Sequence, residues 1–181
     1  MFIKNFKRLL ISTVAAFCGI ALCCGCGNKL DEGLENYKES MTEFYNKLSY
    51  YDASMNGIDA SSEDAKLQLL VYLDEMNDTY KTMAALTIPE EFDGISDIAV
   101  EAADYMQMAN ECYHLAYDGA FDEDNEYLAS QYYQRANSRA RVMLQVLHGE
   151  VPTGEGVTVT TVEAGQFDTI GDESDGNQQE E

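Results

Sequence analysis

The stretch LDEGLENYKESMTEFYNKLSYYDASM, residues 30–55, decides the fold of this chain. Large apolar side chains recur in it at alternating intervals of four and three residues. They are Leu30, Leu34, Tyr37, Met41, Phe44, Leu48, Tyr51 and Met55. Because this spacing places all of them on one face, it predicts an amphipathic helix that packs against other helices at a shallow angle. Asn56-Gly57 tolerates a left-handed backbone and predicts the end of that helix.

The same spacing recurs three times further along the chain. It predicts helices over residues 62–87, 95–118 and 125–148, in addition to the helix over 30–55. The expected core positions of the second helix are Leu69, Leu73, Met76, Tyr80, Met83 and Thr87, widened by Leu70 and Val71. Those of the third are Ile95, Ile98, Ala102, Tyr105, Ala109, Cys112 and Ala116. Those of the fourth are Ala129, Tyr132, Ala136, Ala140, Met143 and Leu147. The small side chains of the last two helices predict close helix packing.

Polar residues and proline mark the ends of these helices. Ser61 or Ser62 is expected to cap the second helix, with acidic residues in its first turn. Residues 88–94 form the next connector, in which Pro89 either prevents continuation of the second helix or opens the third. Residues 122–125 are expected to cap the fourth helix.

These elements predict an all-α domain over residues 30–149. The connections are short enough to force neighbouring helices to run antiparallel, so an up-down four-helix bundle is the simplest arrangement. A three-helix bundle with the first helix detached as a stalk is the alternative. Residues 150–181 contain nine acidic and no basic residues, which predicts a disordered acidic tail. Residues 157–162 alternate like a strand and could instead add to the sheet edge of a partner.

The segment that precedes the first helix is typical of an export signal. Lys4, Lys7 and Arg8 are followed by an uncharged run over residues 9–22, which is too short for a helix that spans a bilayer. Gly25-Cys26 comes next. The arrangement resembles the lipobox of bacterial lipoproteins, in which a small residue precedes a cysteine that receives lipid.

This resemblance implies a signal peptide over residues 1–25, lipidation of Cys26 and a spacer over 26–29. The position three residues before Cys26 is Cys23, where leucine is usual, and Cys24 and Cys23 are poorer alternative sites. Two acyl chains on one cysteine anchor a protein stably. The resemblance thus implies a location on the extracytoplasmic face of the cell membrane. Cys112 would be the one remaining cysteine, and it is expected to be a core residue.

Charge limits the classes of partner. The chain has a net charge of −22, and loss of residues 1–25, which hold three basic and no acidic residues, leaves −25. So acidic a protein repels nucleic acid and anionic lipid headgroups, and nucleic-acid binding is excluded. So acidic a surface suits solubility at a cell surface, or partners that are basic or cationic.

A few residues invite a chemical interpretation. Glu111-x-x-His114 matches an element of di-iron bundles, but the chain has no second copy, and both side chains are expected to face solvent. Asp122-x-Asp124-x-Glu126 resembles a calcium loop only faintly, and helix capping explains it better. His148 is expected to cap the end of the fourth helix. No catalytic, cofactor or metal site is predicted.

Two functions remain open for this chain. The leading hypothesis is a non-enzymatic interaction module, anchored in the membrane by lipid, that binds another envelope or secreted protein. The alternative is a carrier or sensor of a small or cationic ligand held between the helices. In the carrier hypothesis a cavity would be bordered by tyrosines and by the alanines of the last two helices. The six tyrosines on or near core positions are Tyr37, Tyr51, Tyr72, Tyr80, Tyr105 and Tyr132.

Overall fold

A computed structural model describes residues 32–154 of the chain. Within this range the chain forms four α-helices and no strand. They are α1 (Glu32–Asn56), α2 (Ala65–Ala84), α3 (Ser96–Tyr117) and α4 (Glu123–Leu147), with a 3₁₀ helix over Glu90–Ile95 between α2 and α3. The predicted all-α four-helix bundle is therefore confirmed. The expected signal peptide, Cys26, and residues 155–181 of the expected acidic tail lie outside the described residues.

Contacts between side chains show that α3 and α4 run antiparallel. Arg139, late in α4, pairs with Glu101, early in α3. At the other end of the pair, the Tyr117 hydroxyl of α3 donates to the Glu126 carboxylate in the first turn of α4. Arg135 lies between these contacts, with its guanidinium 5.7 Å from the ring centre of Tyr105.

α1 is an integral part of the bundle. The Tyr45 hydroxyl of α1 donates to the backbone carbonyl of Ala140 in α4 over 2.9 Å. The Phe44 ring of α1 meets the Tyr80 ring of α2 edge to face, with ring centres 5.2 Å apart. The alternative in which the first helix is a detached stalk is therefore wrong.

The core contains more residues than the heptad spacing predicted. Most predicted positions are buried, but Thr87 and Val71 are exposed, Val71 by 43%. Large buried side chains that the heptad spacing missed are Tyr45, Met106, Tyr113 and Tyr133. A helix that packs in a globular bundle buries a broader stripe than the a and d positions of a coiled coil, so residues next to the predicted ones are buried as well.

The second helix begins later and ends earlier than predicted. Ser61 and Ser62 do not cap it. Both the amide and the hydroxyl of Ser61 bond to the Asp59 carboxylate, and the Ser62 hydroxyl accepts the N–H of Asp64, which is the N-cap residue itself. The helix starts at Ala65 and stops at Ala84. The connector forms a 3₁₀ helix preceded by Pro89 in an extended conformation.

The ends of α4 agree better with prediction. The Asp122 carboxylate accepts the backbone N–H groups of Asp124 and Asn125, each over 3.0 Å, so the expected N-cap is confirmed. His148 occupies the C-cap position, where its own backbone N–H bonds to carbonyls of the last turn.

Helix packing tightens along the chain. α3 and α4 make the most extensive contact of the three sequential pairs, and α1 and α2 make the least. Ala102, Ala109, Ala129 and Ala136 are fully buried in the α3–α4 pair and allow the backbones to approach. Tyr, Met, Phe and Leu fill the corresponding positions of α1 and α2. Bulky side chains hold these two helices further apart. None of the helices within residues 32–154 is both long and apolar enough to cross a bilayer.

Candidate binding groove between α1 and α2

An open groove runs along the face of the bundle between α1 and α2. Its wide end has a volume of about 760 Å³, and its narrower part about 350 Å³. Ser40 and Leu86 line both parts, so the two form one surface. The wide end is lined by Gly33, Leu34, Asn36, Tyr37, Thr87, Pro89, Glu90 and Glu91. The narrower part is lined by Glu43, Phe44, Lys47, Tyr51, Glu75, Asp78, Thr79, Thr82 and Met83. We call this surface the α1–α2 groove.

The early end of α2 explains why the groove widens towards one end of the bundle. α1 begins at Glu32, and α2 runs antiparallel to it but stops at Ala84. The chain then passes through extended Pro89 before the 3₁₀ helix begins. The first turns of α1 consequently face a loop instead of a helix, and space opens beside them.

The floor of the groove is apolar and well packed. Tyr37, Phe44 and Met83 line it and are each only 3% exposed. The Tyr37 ring lies 5.9 Å from that of Phe92, centre to centre, and Phe44 packs on Tyr80. Side chains held by such contacts form a preformed surface, so a ligand would not need to order them on binding.

The rim of the groove is acidic. Glu43, Glu75, Asp78, Glu90 and Glu91 line it, and Lys47 is the one basic residue among the lining residues. The Lys47 ammonium is already paired with the Glu43 carboxylate over 2.8 Å. The hydrogen bond and charge of Glu43 raise the pKa of Lys47, so this residue stays cationic and bound to its neighbour. The charge left for a ligand is therefore negative.

Three serine and threonine hydroxyl groups in the groove donate hydrogen bonds within their own helices. Ser40, Thr79 and Thr82 each donate a 2.8 Å hydrogen bond to the carbonyl four residues earlier. These donors are occupied, and the carboxylates of the rim are acceptors only when ionised. The groove thus offers acceptors to a ligand that brings donors.

Among the buried side-chain polar atoms of the described residues, one that belongs to the lining has no hydrogen-bond partner. The Tyr37 hydroxyl is buried and makes no hydrogen bond, and burial raises the pKa of Tyr37 to about 12. This hydroxyl therefore stays protonated at neutral pH. An unpaired buried hydroxyl is costly, and most buried polar groups in proteins are paired.

Glu111 and His114 do not form the half of a metal site that their spacing suggested. Glu111 is exposed and accepts a hydrogen bond from Gln107. His114 is only partly exposed and joins two helices, because its Nε2 lies 3.0 Å from the Asp74 carboxylate of α2 and its Nδ1 lies 2.9 Å from Asp118. His114 was expected to face solvent, and its side chain is 33% exposed; the pairing with Asp74 of α2 is an addition that the spacing did not predict. Within residues 32–154 no group of three or more potential ligands is placed to hold a metal ion.

Cys112 is buried with a free thiol, as expected of a core residue. Its pKa is raised by burial and by the nearby charge of Glu111, so it stays a thiol at neutral pH. Two of the tyrosines predicted near the core have partners for their hydroxyls: Tyr80 donates to Asn137, and Tyr105 donates to Glu101.

The groove does not lie where the carrier hypothesis expected a cavity. It contains Tyr37 and Tyr51, but no alanine of α3 or α4 lines it. The sequence did not predict the groove, because its acidic residues belong to two helices and each of them resembles an ordinary solvated surface residue.

Comparisons with protein-family models, with curated proteins and with solved structures found no match to this chain.

Proposed function

We propose that this chain is a membrane-anchored extracytoplasmic lipoprotein whose bundle is a non-enzymatic protein-interaction module, with the α1–α2 groove as its binding surface. The observation that carries the proposal is the groove itself, which combines an apolar, preformed floor with an open side. Concave, preformed clefts are typical binding sites. The proposal places no catalytic step in the protein.

The N-terminal segment supports the anchor. The basic start, the short apolar run and Gly25-Cys26 together resemble a lipoprotein signal. If Cys26 carries the lipid, the intervening residues 27–31 would hold the start of α1 within roughly 20 Å of the membrane surface. Gly33 and Leu34 line the wide end of the groove, so this end would face a partner that is also at the membrane.

A carrier or sensor of a small or cationic ligand is the second candidate. The volume of the wide end lies within the range of small-molecule sites, and that observation favours it. An open side buries less of a small ligand than an enclosed cavity does, whereas an elongated open surface suits a protein segment. The interaction module is therefore the better supported of the two.

Site-specific photo-crosslinking in cells that make the full-length chain tests the proposal. In the test variants, a photoreactive residue replaces Thr79 or Thr87 in the groove. In the matched controls it replaces Gln134 on α4 or Asp104 on α3, which are both exposed. We expect the two groove positions to yield an adduct of the same partner and the controls to yield none. Equal adducts at all four positions, or none in the groove, would contradict the proposal.

A further inference from the structure

The chemistry of the α1–α2 groove specifies the class of segment that fits it. We infer that the groove binds a basic amphipathic helix of a partner protein. This inference rests on the proposed function and adds to it the shape and charge of the bound segment.

The length and the walls of the groove argue for a helix. From Gly33 to Tyr51 the groove follows α1 for about 27 Å, at 1.5 Å per residue. Its second wall is α2 along the narrower part and the connector from Leu86 to Glu91 along the wide end, and the α1 residues that line the groove recur at helical spacing. A helix with an apolar stripe can lie between two such walls and bury that stripe on the floor, as in other helix-in-groove complexes.

The charge of the rim argues for a basic segment. The lining holds five carboxylates against one ammonium, which is itself paired with Glu43. Lys and Arg on the flanks of a bound helix would lie beside these carboxylates while its apolar stripe covers the half-buried Leu34, Leu86 and Pro89. Complementary charge of this kind chiefly accelerates association and excludes wrong partners.

The acidic tail of the chain is not a suitable occupant of the groove. Residues 150–181 contain nine acidic and no basic residues, so the rim would repel this segment. A second copy of the chain, with a net charge of −22, would be repelled as well. Charge complementarity therefore favours a different protein.

Designed peptides of 18 residues test the inference on the full-length protein in detergent. The probe is a Leu/Lys peptide with a helical apolar stripe. In one control peptide Glu replaces Lys and the apolar stripe is kept. A second control has the same Leu/Lys composition as the probe, but its sequence order gives no apolar stripe. We expect the probe to bind at least tenfold more tightly than either control, as measured by fluorescence anisotropy, and its affinity to fall as salt concentration rises.

A pair of charge reversals separates the groove from the overall acidity. Glu75→Lys with Asp78→Lys alters the rim, and Asp104→Lys with Glu111→Lys makes the same change in net charge on exposed positions of α3. We expect the rim variant to lose at least tenfold in affinity for the probe and the α3 variant less than threefold. Equal losses in both variants, or equal binding of the three peptides, would overturn the inference.

Cellular crosslinks distinguish failure of this inference from failure of the proposed function. If crosslinks from Thr79 and Thr87 persist but the probe does not discriminate, the groove binds a partner of other chemistry, and the inference alone is wrong. If the probe binds in the groove but no cellular crosslinks form, the preference of the groove for a basic helix stands, whereas the partner-protein assignment and the interaction module are wrong.

Discussion

At the scale of single residues, two buried tyrosines differ in whether their hydroxyls are paired. Tyr80 is fully buried on α2, and its hydroxyl donates to the Asn137 side chain of α4 over 3.0 Å. Tyr37 is 3% exposed, and its hydroxyl has no partner. The same chemical change, Tyr→Phe, therefore has different consequences at the two positions.

We expect Tyr80→Phe to lower the free energy of unfolding by about 1–3 kcal/mol, because it leaves the amide oxygen of the partly buried Asn137 unpaired. Tyr37→Phe removes an atom that makes no hydrogen bond, so we expect it to leave stability unchanged or raise it by about 1 kcal/mol. Urea denaturation of both variants measures the difference. The double variant Tyr80→Phe with Asn137→Leu should recover most of the loss, and a loss at Tyr37 as large as that at Tyr80 would contradict the explanation.

His114 links α2 to α3 in a manner that depends on pH. Burial tends to lower its pKa, but the hydrogen bonds and charges of Asp118 and Asp74 outweigh this and raise it above 6.5. Burial likewise opposes ionisation of Asp74, and bonds from Asn110 and His114 outweigh it and hold the pKa of Asp74 below 3.8. The ion pair is therefore complete in mildly acidic solution.

The pKa of His114 is higher in the folded protein than in the unfolded chain, where it is near 6.5. The protonated side chain therefore stabilises the fold fully below pH 6.5, and this stabilisation is lost as the pH rises through the pKa of the folded protein. At pH 5 we expect the free energy of unfolding of wild type to exceed that of His114→Gln by about 0.5 kcal/mol, a small value because the pair is exposed, and wild type to melt at a higher temperature. Both differences should vanish by about pH 9. Thermal unfolding across this range tests the sign. Asp118→Asn should shrink the difference, and an advantage that grows with pH would refute the assignment.

At the scale of elements, heptad spacing located the helices but not the full width of their cores. It identified Met41 and Leu73, which are each 1% exposed. It missed Met106 and Tyr113, because a bundle helix buries residues beside the central stripe and spacing alone does not say on which side. It also predicted Val71 as a core residue, which the structure shows to be exposed.

The start of α2 shows a second limit of local signals. Ser61 is a good N-cap residue, but Asp59 nearby accepts its amide and its hydroxyl. Several residues that favour turns and caps follow one another here, and the sequence does not reveal which of them precedes the helix. At α4 the cap lies within the predicted residues 122–125, at Asp122.

The close approach of α3 and α4 predicts that a larger side chain at their interface destabilises the bundle. Ala109 is fully buried on α3, whereas Val100 on the same helix is 51% exposed. We expect Ala109→Leu to destabilise the bundle by about 1–3 kcal/mol, because the added atoms have no space between closely packed helices. Val100→Leu should change stability by less than about 0.5 kcal/mol. Urea denaturation compares the two, and equal effects would show that the helices are not in close contact at Ala109.

At the scale of the whole molecule, the groove follows from an imbalance in packing that no single segment reveals. Alanines bring α3 and α4 together, whereas large side chains keep α1 and α2 apart. The early end of α2 then widens one end of the space. Glu43 and Glu75 become neighbours of one groove only when the two helices are placed side by side, so sequence spacing could not predict the acidic rim.

The anchor is the remaining prediction at this scale, and it depends on Cys26. Two acyl chains contribute about 0.8 kcal/mol for each buried CH₂ group, whereas an acidic bundle contributes no attraction to anionic headgroups. We expect Cys26→Ala to abolish incorporation of labelled fatty acid into the full-length protein in cells. Incorporation is the better readout than fractionation, because an uncleaved signal segment would itself hold the variant at the membrane.

Cys112→Ala serves as the matched control, since this cysteine is buried in the bundle and should not affect labelling. Cys23→Ala and Cys24→Ala should also remain labelled if Gly25-Cys26 is the processing site. Loss of label in either of them, with label retained in Cys26→Ala, would move the anchor to that position. Label retained in a variant that replaces Cys23, Cys24 and Cys26 together would refute lipidation at this cysteine cluster, and the groove would then no longer be held near a membrane by its own chain.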